Sequence, residues 1–272
     1  MEILYTTSAD GTRLRLGRWG QPGRNILLVH GLAEHLGRYQ HVGQRLAAAG
    51  WQVTAVELRG HGESAGRKGH VRSWMKYVED LQAAAAVASA DLNPMAVVAH
   101  SMGGLVTLDA LRAPIHPPVR AVALSNPLLG AAVEVPGWKL ALSRVASRIA
   151  PILPFGNEID AAHLTRSEEV VRAYEQDPMV YSTVTPRWFR EHQRAIERVE
   201  SHAPQYSIPL RMMVGTGDRI CSHTAALDFA GRWGGPSTPI IYNDCYHELF
   251  NEPEKDAVLS ELIDWLEAQE LA

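Results

Sequence analysis

A chain of 272 residues with 46% hydrophobic content can bury one large core plus an inserted subdomain, but not several independent domains. Its formal net charge of −4, with both signs mixed along the chain, leaves no electrostatic footprint for nucleic acid, and two cysteines make no disulfide framework. The opening Met1-Glu2-Ile3-Leu4-Tyr5-Thr6-Thr7 has no basic region followed by a long apolar core, and no run approaches the roughly 18 continuous apolar residues of a membrane span, so a soluble cytoplasmic protein is expected.

Residues 2–7 and 12–19, parted by Ala9-Asp10-Gly11, read as an opening hairpin. Strand 25–30, helix 38–49, strand 51–57, helix 73–90, strand 95–100, helix 102–112 and strand 119–125 follow. Crossovers of that length imply parallel neighbours, so the expected class is α/β, with a mostly parallel central sheet and helices on both faces. From 128 to 206 the rhythm breaks and the pattern is helical throughout. Trp138, Leu142, Val145, Ile149 and Ile152 recur at helical spacing, with Lys139, Arg144 and Arg148 off that stripe, until Pro151 and Pro154 end the run. A helix over 168–176 closes before Asp177-Pro178, and another follows Thr185-Pro186. This insertion is expected to sit as a helical cap on a core made of 1–127 and 207–272. Its apolar stripe is expected to pack onto the protein; the alternative is transient contact with a lipid surface. Alternation resumes at Leu210 and ends in an amphipathic helix over 254–269.

The chemistry centres on Val97-Val98-Ala99-His100-Ser101-Met102-Gly103-Gly104-Leu105. An apolar strand breaks at a serine and restarts as a small-residue helix, which is the form of a nucleophile elbow. Small residues are needed two before and two after the serine; Gly103 meets that need, and Ala99 adds one methyl to the usual glycine. A serine hydroxyl is a poor nucleophile alone, so it needs a base, an orienting acid and an oxyanion site. In chain order after the elbow, the apolar run Leu210–Val214 ends at Gly215-Thr216-Gly217-Asp218, and Ile240-Ile241-Tyr242 is followed by Cys245-Tyr246-His247. His247 is assigned as base toward Ser101, and Asp218 as the acid that fixes its tautomer. The strand Asn25–Val29 delivers His30-Gly31-Leu32, so the oxyanion donors are expected to be the backbone N–H groups of Leu32 and Met102.

Arg59, Arg67, Lys68 and Arg72 form a basic cluster that reads as a solvated loop. Cys221 and Cys245 stand in the loops that carry Asp218 and His247. They read as reduced thiols that pack there; the sharper alternative places Cys221 near enough to the pocket for thiol modification to block substrate.

These motifs resemble those of the monoglyceride lipases and bacterial lysophospholipases of the α/β-hydrolase superfamily, over nearly the whole chain. The resemblance rests on His30-Gly31-Leu32-Ala33-Glu34-His35-Leu36-Gly37-Arg38-Tyr39, on Arg59-Gly60-His61-Gly62-Glu63-Ser64, and on His100-Ser101-Met102-Gly103-Gly104. Tyr174 ahead of Asp177-Pro178-Met179-Val180, Gly217-Asp218-Arg219 and Tyr246-His247-Glu248-Leu249 extend it. Glu57 stands where that family usually has Asp, a change expected to touch loop support rather than chemistry. The resemblance implies the same triad and oxyanion donors, and places Glu34, Arg38, His100 and Tyr174 around the leaving alcohol. Glu34 with Arg38 as an ion pair at a helix start, and His100 as a hydrogen-bonded structural residue, are the plainer readings. Arg59 and His61 are expected to brace a loop. The implied activity is cleavage of carboxylic esters, monoacylglycerols foremost, with no cofactor or metal. Lysophospholipase, generalist short-chain carboxylesterase, proline-cleaving aminopeptidase and a non-catalytic ligand-binding relative are the alternatives. Relatives with an aspartate nucleophile are disfavoured by Ser101, and oligomeric state is left open.

Overall fold

The computed structural model describes residues 1–89, 93–133 and 137–269, with backbone alone over 138–142. The first half supplies β1 (Glu2–Thr7), β2 (Arg13–Trp19), β3 (Arg24–Val29), α1 (Gln40–Ala48), β4 (Trp51–Val56), α2 (Met75–Ala88), β5 (Met95–His100), α3 (Met102–Ala110) and β6 (Val119–Ser125). Then come α4 (Gly137–Ile149), β7 (Phe155–Gly156), α5 (Glu168–Glu175), β8 (Thr183–Val184) and α6 (Pro186–His202). The chain closes with β9 (Leu210–Gly215), α7 (His223–Gly231), β10 (Ser237–Tyr242) and α8 (Lys255–Glu267).

Eight strands form one sheet in the order β1-β2-β4-β3-β5-β6-β9-β10. The pairs β1–β2 and β2–β4 are antiparallel and the rest parallel. Every residue of β5 is buried, as a strand covered on both faces requires. Alternate side chains then feed two cores. Leu27, Val29, Val97 and Leu124 point to the side of α2, α3, α6 and α7, with Trp74, Tyr77 and Phe229. Ile26, Leu28, Val98 and Ala123 point to α1 and α8, with Trp51, Leu46 and Leu262. The registers Val29↔Ala99, Ala99↔Leu124 and Ser125↔Met213 align the carboxyl ends of β3, β5, β6 and β9 into one rim, where open α/β sheets bind ligands.

Strands 95–100 and 119–125 fall where the sequence places them. The helix expected over 38–49 instead opens with a 3₁₀ turn at Leu36–Tyr39, because His35 Nδ1 accepts from the Gly37 N–H at 3.2 Å and tightens the start. The stretch between β6 and β9 is not helical throughout: prolines at 151 and 154 stop α4, and β7 pairs with β8 through Phe155↔Val184.

The apolar stripe on α4 also departs from expectation. Val145, Ile149 and Ile152 are 51%, 79% and 53% exposed, whereas Ser147 is buried and its carbonyl accepts from Arg187 of α6 at 3.0 Å. The small-residue face of α4 packs on α6, which turns the branched side chains outward. The side chains of Trp138, Lys139 and Leu142 lie outside the described residues.

Candidate active site

Ser101 sits between β5 and α3 with φ +50° and ψ −119°, a strained backbone for a residue with a side chain. Surrounding packing holds it there. A Cβ at position 103 would lie 2.4 Å from the His30 carbonyl oxygen and 2.7 Å from that of Val29, so only glycine lets α3 start this close to β3. The Ser101 N–H donates to the Ser125 carbonyl at 3.0 Å, and its own carbonyl accepts from Gly104 and Leu128, each at 3.0 Å.

The loop after β10 brings His247 Nε2 to 3.0 Å from Ser101 Oγ, and the loop after β9 brings Asp218 Oδ2 to 2.8 Å from His247 Nδ1. A carboxylate only accepts, so Nδ1 carries the proton and Nε2 is free to accept from the serine hydroxyl. Asp218 Oδ1 takes the backbone N–H groups of Ile220 and Cys221 at 2.8 and 2.9 Å. Burial alone would lower the His247 pKa, but the Asp218 charge and hydrogen bond outweigh it and raise the value above the ordinary 6.5. In turn, burial would raise the Asp218 carboxyl, and His247 with the two N–H donors holds it below its ordinary value.

Asn126, just past β6 with φ +42°, joins these loops. Its side-chain amide donates to the carbonyls of His247 at 2.7 Å and Tyr246 at 3.1 Å, and its Oδ1 accepts from Gly215 N–H at 2.9 Å. Sequence reasoning passed over it; the available signal was an asparagine at a strand end on the functional rim.

Beside Ser101 lies a small cavity, with Leu32, Ile159 and Leu164 as apolar wall and Glu34, His100, Tyr174 and Glu248 as polar wall. Glu34 Oε1 accepts from Gly31 N–H at 2.5 Å and Tyr39 hydroxyl at 2.7 Å. Arg38 grips Glu248 with both Nη atoms, at 2.5 and 2.8 Å, reaches Glu34 at 3.2 Å, and lies 4.7 Å from the Tyr174 ring centre. Burial opposes charge on Glu34, but chiefly the Arg38 guanidinium outweighs it and brings its pKa down to about 2. Of the four residues expected around the leaving alcohol, Glu34, His100 and Tyr174 line the cavity, while Arg38 stands behind the carboxylates. Glu248 joins them unforeseen, although it follows the base directly in sequence. His100 donates from Nδ1 to the Ser125 carbonyl at 3.1 Å, and burial together with His247 lowers its pKa to about 4. Leu32 is on the cavity wall and Met102 is the first residue of α3.

Of the basic cluster, Arg59 alone departs from a solvated loop. Arg59 is buried, bonded to Asp80 at 2.6 and 2.8 Å and to Asp10 at 2.7 Å. Arg67, Lys68 and Arg72 are all exposed, as expected of a solvated loop, and Arg67 and Lys68 donate to the Ile152 and Met179 carbonyls. His61 accepts from the Tyr181 hydroxyl at 2.7 Å, and Glu57 braces the same loop by accepting from Glu63 N–H at 2.8 Å. The Cys221 thiol is buried beside Asp218 and His247, and burial with the Asp218 charge pushes its pKa well up. Cys245 is raised to about 11 by burial and by Glu252 and Glu254. That acidic pair is held by Arg166, at 2.8 Å to Glu252 and in direct contact with Glu254.

Comparison with known proteins shows the family and the fold. The profile of the family described as serine aminopeptidase, S33 matches residues 20–254. A monoacylglycerol lipase of Mycolicibacterium smegmatis is 35% identical, over 89% of this chain and 87% of that protein. Phospholipase YtpA of Bacillus subtilis is 29% identical, over 88% and 93%. The crystal structure of the Paleococcus ferrophilus monoacylglycerol lipase superposes with a TM-score of 0.84 at 26% identity, covering 98% of each chain. A profile spanning most of the sequence, a relative above 30% identity and this sheet order together make the chain a member of the serine aminopeptidase S33 family of α/β-hydrolases.

Proposed function

We propose that this chain is a serine hydrolase that splits monoacylglycerols into glycerol and fatty acid through an acyl-enzyme on Ser101. The observation that carries this reading is the relay Ser101–His247–Asp218, at 3.0 and 2.8 Å, opening onto a cavity with one apolar and one polar wall. His247 Nε2 takes the serine proton as Oγ bonds to the ester carbonyl carbon, and the N–H groups of Leu32 and Met102 receive the negative oxygen. Collapse breaks the bond to the alcohol oxygen, which takes the proton from Nε2 and leaves as glycerol. A water then gives its proton to Nε2 and attacks the acyl carbon; the fatty acid departs and Ser101 regains its hydrogen.

The segment 128–206 serves as the cap in this reading. Its residues hold the rim: Leu164 O accepts from Glu248 N–H at 2.7 Å, and Asp177 accepts from His35 at 2.8 Å. The outward Val145, Ile149 and Ile152, with Arg144 and Arg148 on the same helix, suit transient contact with a lipid surface. Among the described residues no helix is long and apolar enough to cross a membrane.

A lysophospholipase reading is favoured by the likeness to the Bacillus subtilis phospholipase. Steady-state kcat/KM on a monoacylglycerol, a lysophosphatidylcholine and p-nitrophenyl esters of matched chain length, with Ser101→Ala as blank, separates the two. Preference for the monoacylglycerol supports the proposal. Preference for the lysolipid replaces it, and activity confined to short activated esters reduces it to a generalist esterase.

A further inference from the structure

The polar wall of the cavity carries an unbalanced charge. Glu34 and Glu248 both line it, each nearly fully buried, while Arg38, the guanidinium that pairs with them, lies behind. Asp218 adds a third buried carboxylate one hydrogen bond from Ser101's partner. Neighbouring imidazoles do not offset this: burial lowers the pKa of His30, His61 and His100 alike. With His247 in its neutral, base-competent form, three carboxylates face one guanidinium around the serine among the described residues.

We propose that Glu34 and Glu248 make the alcohol end of the cavity an electrostatic filter, which admits esters of neutral polyols and rejects esters whose alcohol carries a phosphate or carboxylate. Glu248 sets the filter, since both its oxygens are tied to Arg38 and its carboxylate is fixed on the wall. This rests on the ester-hydrolase reading above, and specifies the leaving groups that reading accepts. The physical basis is that an anion entering a cavity walled by carboxylates loses its water without gaining a cation. One uncompensated charge about 7 Å away, at an effective permittivity of about 20, is worth about fiftyfold in kcat/KM, or about 2.4 kcal/mol.

The test compares two matched ester pairs, each neutral against anionic in the alcohol alone. One pair is a 1-monoacylglycerol and the 1-acylglycerol 3-phosphate of the same chain; the other is 4-carbamoylphenyl and 4-carboxyphenyl butyrate. The ratio of kcat/KM, neutral over anionic, is measured in the wild type, in Glu248→Gln and in Glu248→Asp. Glu34→Gln is the second variant, because its Oε1 can still accept from Gly31 and Tyr39 while the charge is removed. Each Gln variant is expected to lower the ratio at least tenfold for both pairs, and Glu248→Asp, which keeps the charge, to leave it within about twofold. Ratios unchanged in both Gln variants overturn the filter. A shifted ratio for the aryl pair with no cleavage of the monoacylglycerol keeps the filter and removes the lipid substrate. Absence of Ser101-dependent cleavage of any of the four esters overturns both proposals.

Discussion

Replacing Asp218 with Asn keeps the shape of the side chain, and the surrounding donors dictate what the new amide does. Oδ1 of Asp218 accepts two backbone N–H groups, from Ile220 and Cys221, at 2.8 and 2.9 Å. The amide oxygen of Asn must therefore take that position, since turning the NH₂ toward two donors would leave three polar groups buried and unpaired. The NH₂ then faces His247 Nδ1, where the carboxylate stood at 2.8 Å. Two donors cannot share that contact, so the ring gives up its Nδ1 proton and carries it on Nε2, 3.0 Å from Ser101 Oγ. An imidazole protonated there cannot accept the serine hydrogen. The same wrong-tautomer change in Ser-His-Asp enzymes costs about 10⁴ in turnover, which is about 5.4 kcal/mol of barrier. The assay is kcat on p-nitrophenyl butyrate, normalised to the folded fraction from a melting curve. A variant that folds like the wild type and keeps kcat within tenfold would refute the assignment of Asp218 as the orienting acid.

Because His247 acts as a base only when neutral and its pKa is raised above 6.5, kcat/KM should climb through a midpoint above that value and fall as pH drops through it; a midpoint below 6.5 would contradict the Asp218 pairing. Gly103→Ala places a methyl 2.4 Å from a backbone oxygen that cannot move aside, so a loss of about 3 kcal/mol is expected, seen as a melting temperature lower by about 6–12 °C. Asn126→Ala removes three hydrogen bonds that join the loops of Asp218 and His247, two of them buried; kcat should fall about 10²-fold with KM little changed, and a change confined to KM would argue against a positioning role. Cys221 is buried with its thiol held protonated, so a maleimide should leave native activity intact and label the thiol only once denaturant opens the fold; rapid inactivation that Cys221→Ser prevents would show that the pocket exposes it.

The central strands were legible because burial on both faces writes itself as unbroken apolar runs, as in β5, and Ser101 and Asp218 because each stands just past such a run; His247 follows the half-exposed edge strand β10, whose short Ile240-Ile241-Tyr242 stretch still marked it in the chain order Ser101, Asp218, His247. Contacts across long separations were not. Glu248 looks like one more acidic residue near a helix start until Arg38, 210 residues away, fixes it on the cavity wall. Arg59 reads as part of a basic cluster because its counter-charges, Asp80 and Asp10, lie 21 and 49 positions off. Periodicity groups Val145 with Ile149 on one face of α4, yet carries no sign for that face; the choice is made by Ser147 and its neighbours fitting against α6. Strands of two residues, β7 and β8, are too short to show any period.

The interleaving of the sheet also orders events in time. Ser101 and His247 are 146 residues apart, so a ribosome adding about 5–20 residues per second makes the serine about 7–30 s before its base. During that interval β3, β4, β5 and β6 can pair, since β9 joins on the far side of β6 and β10 comes last. A growing chain thus holds its elbow and the His30-Gly31 loop, but neither Asp218 nor His247. Late arrival of the outer strands acts as a safety catch: the serine stays chemically silent until the final strand docks.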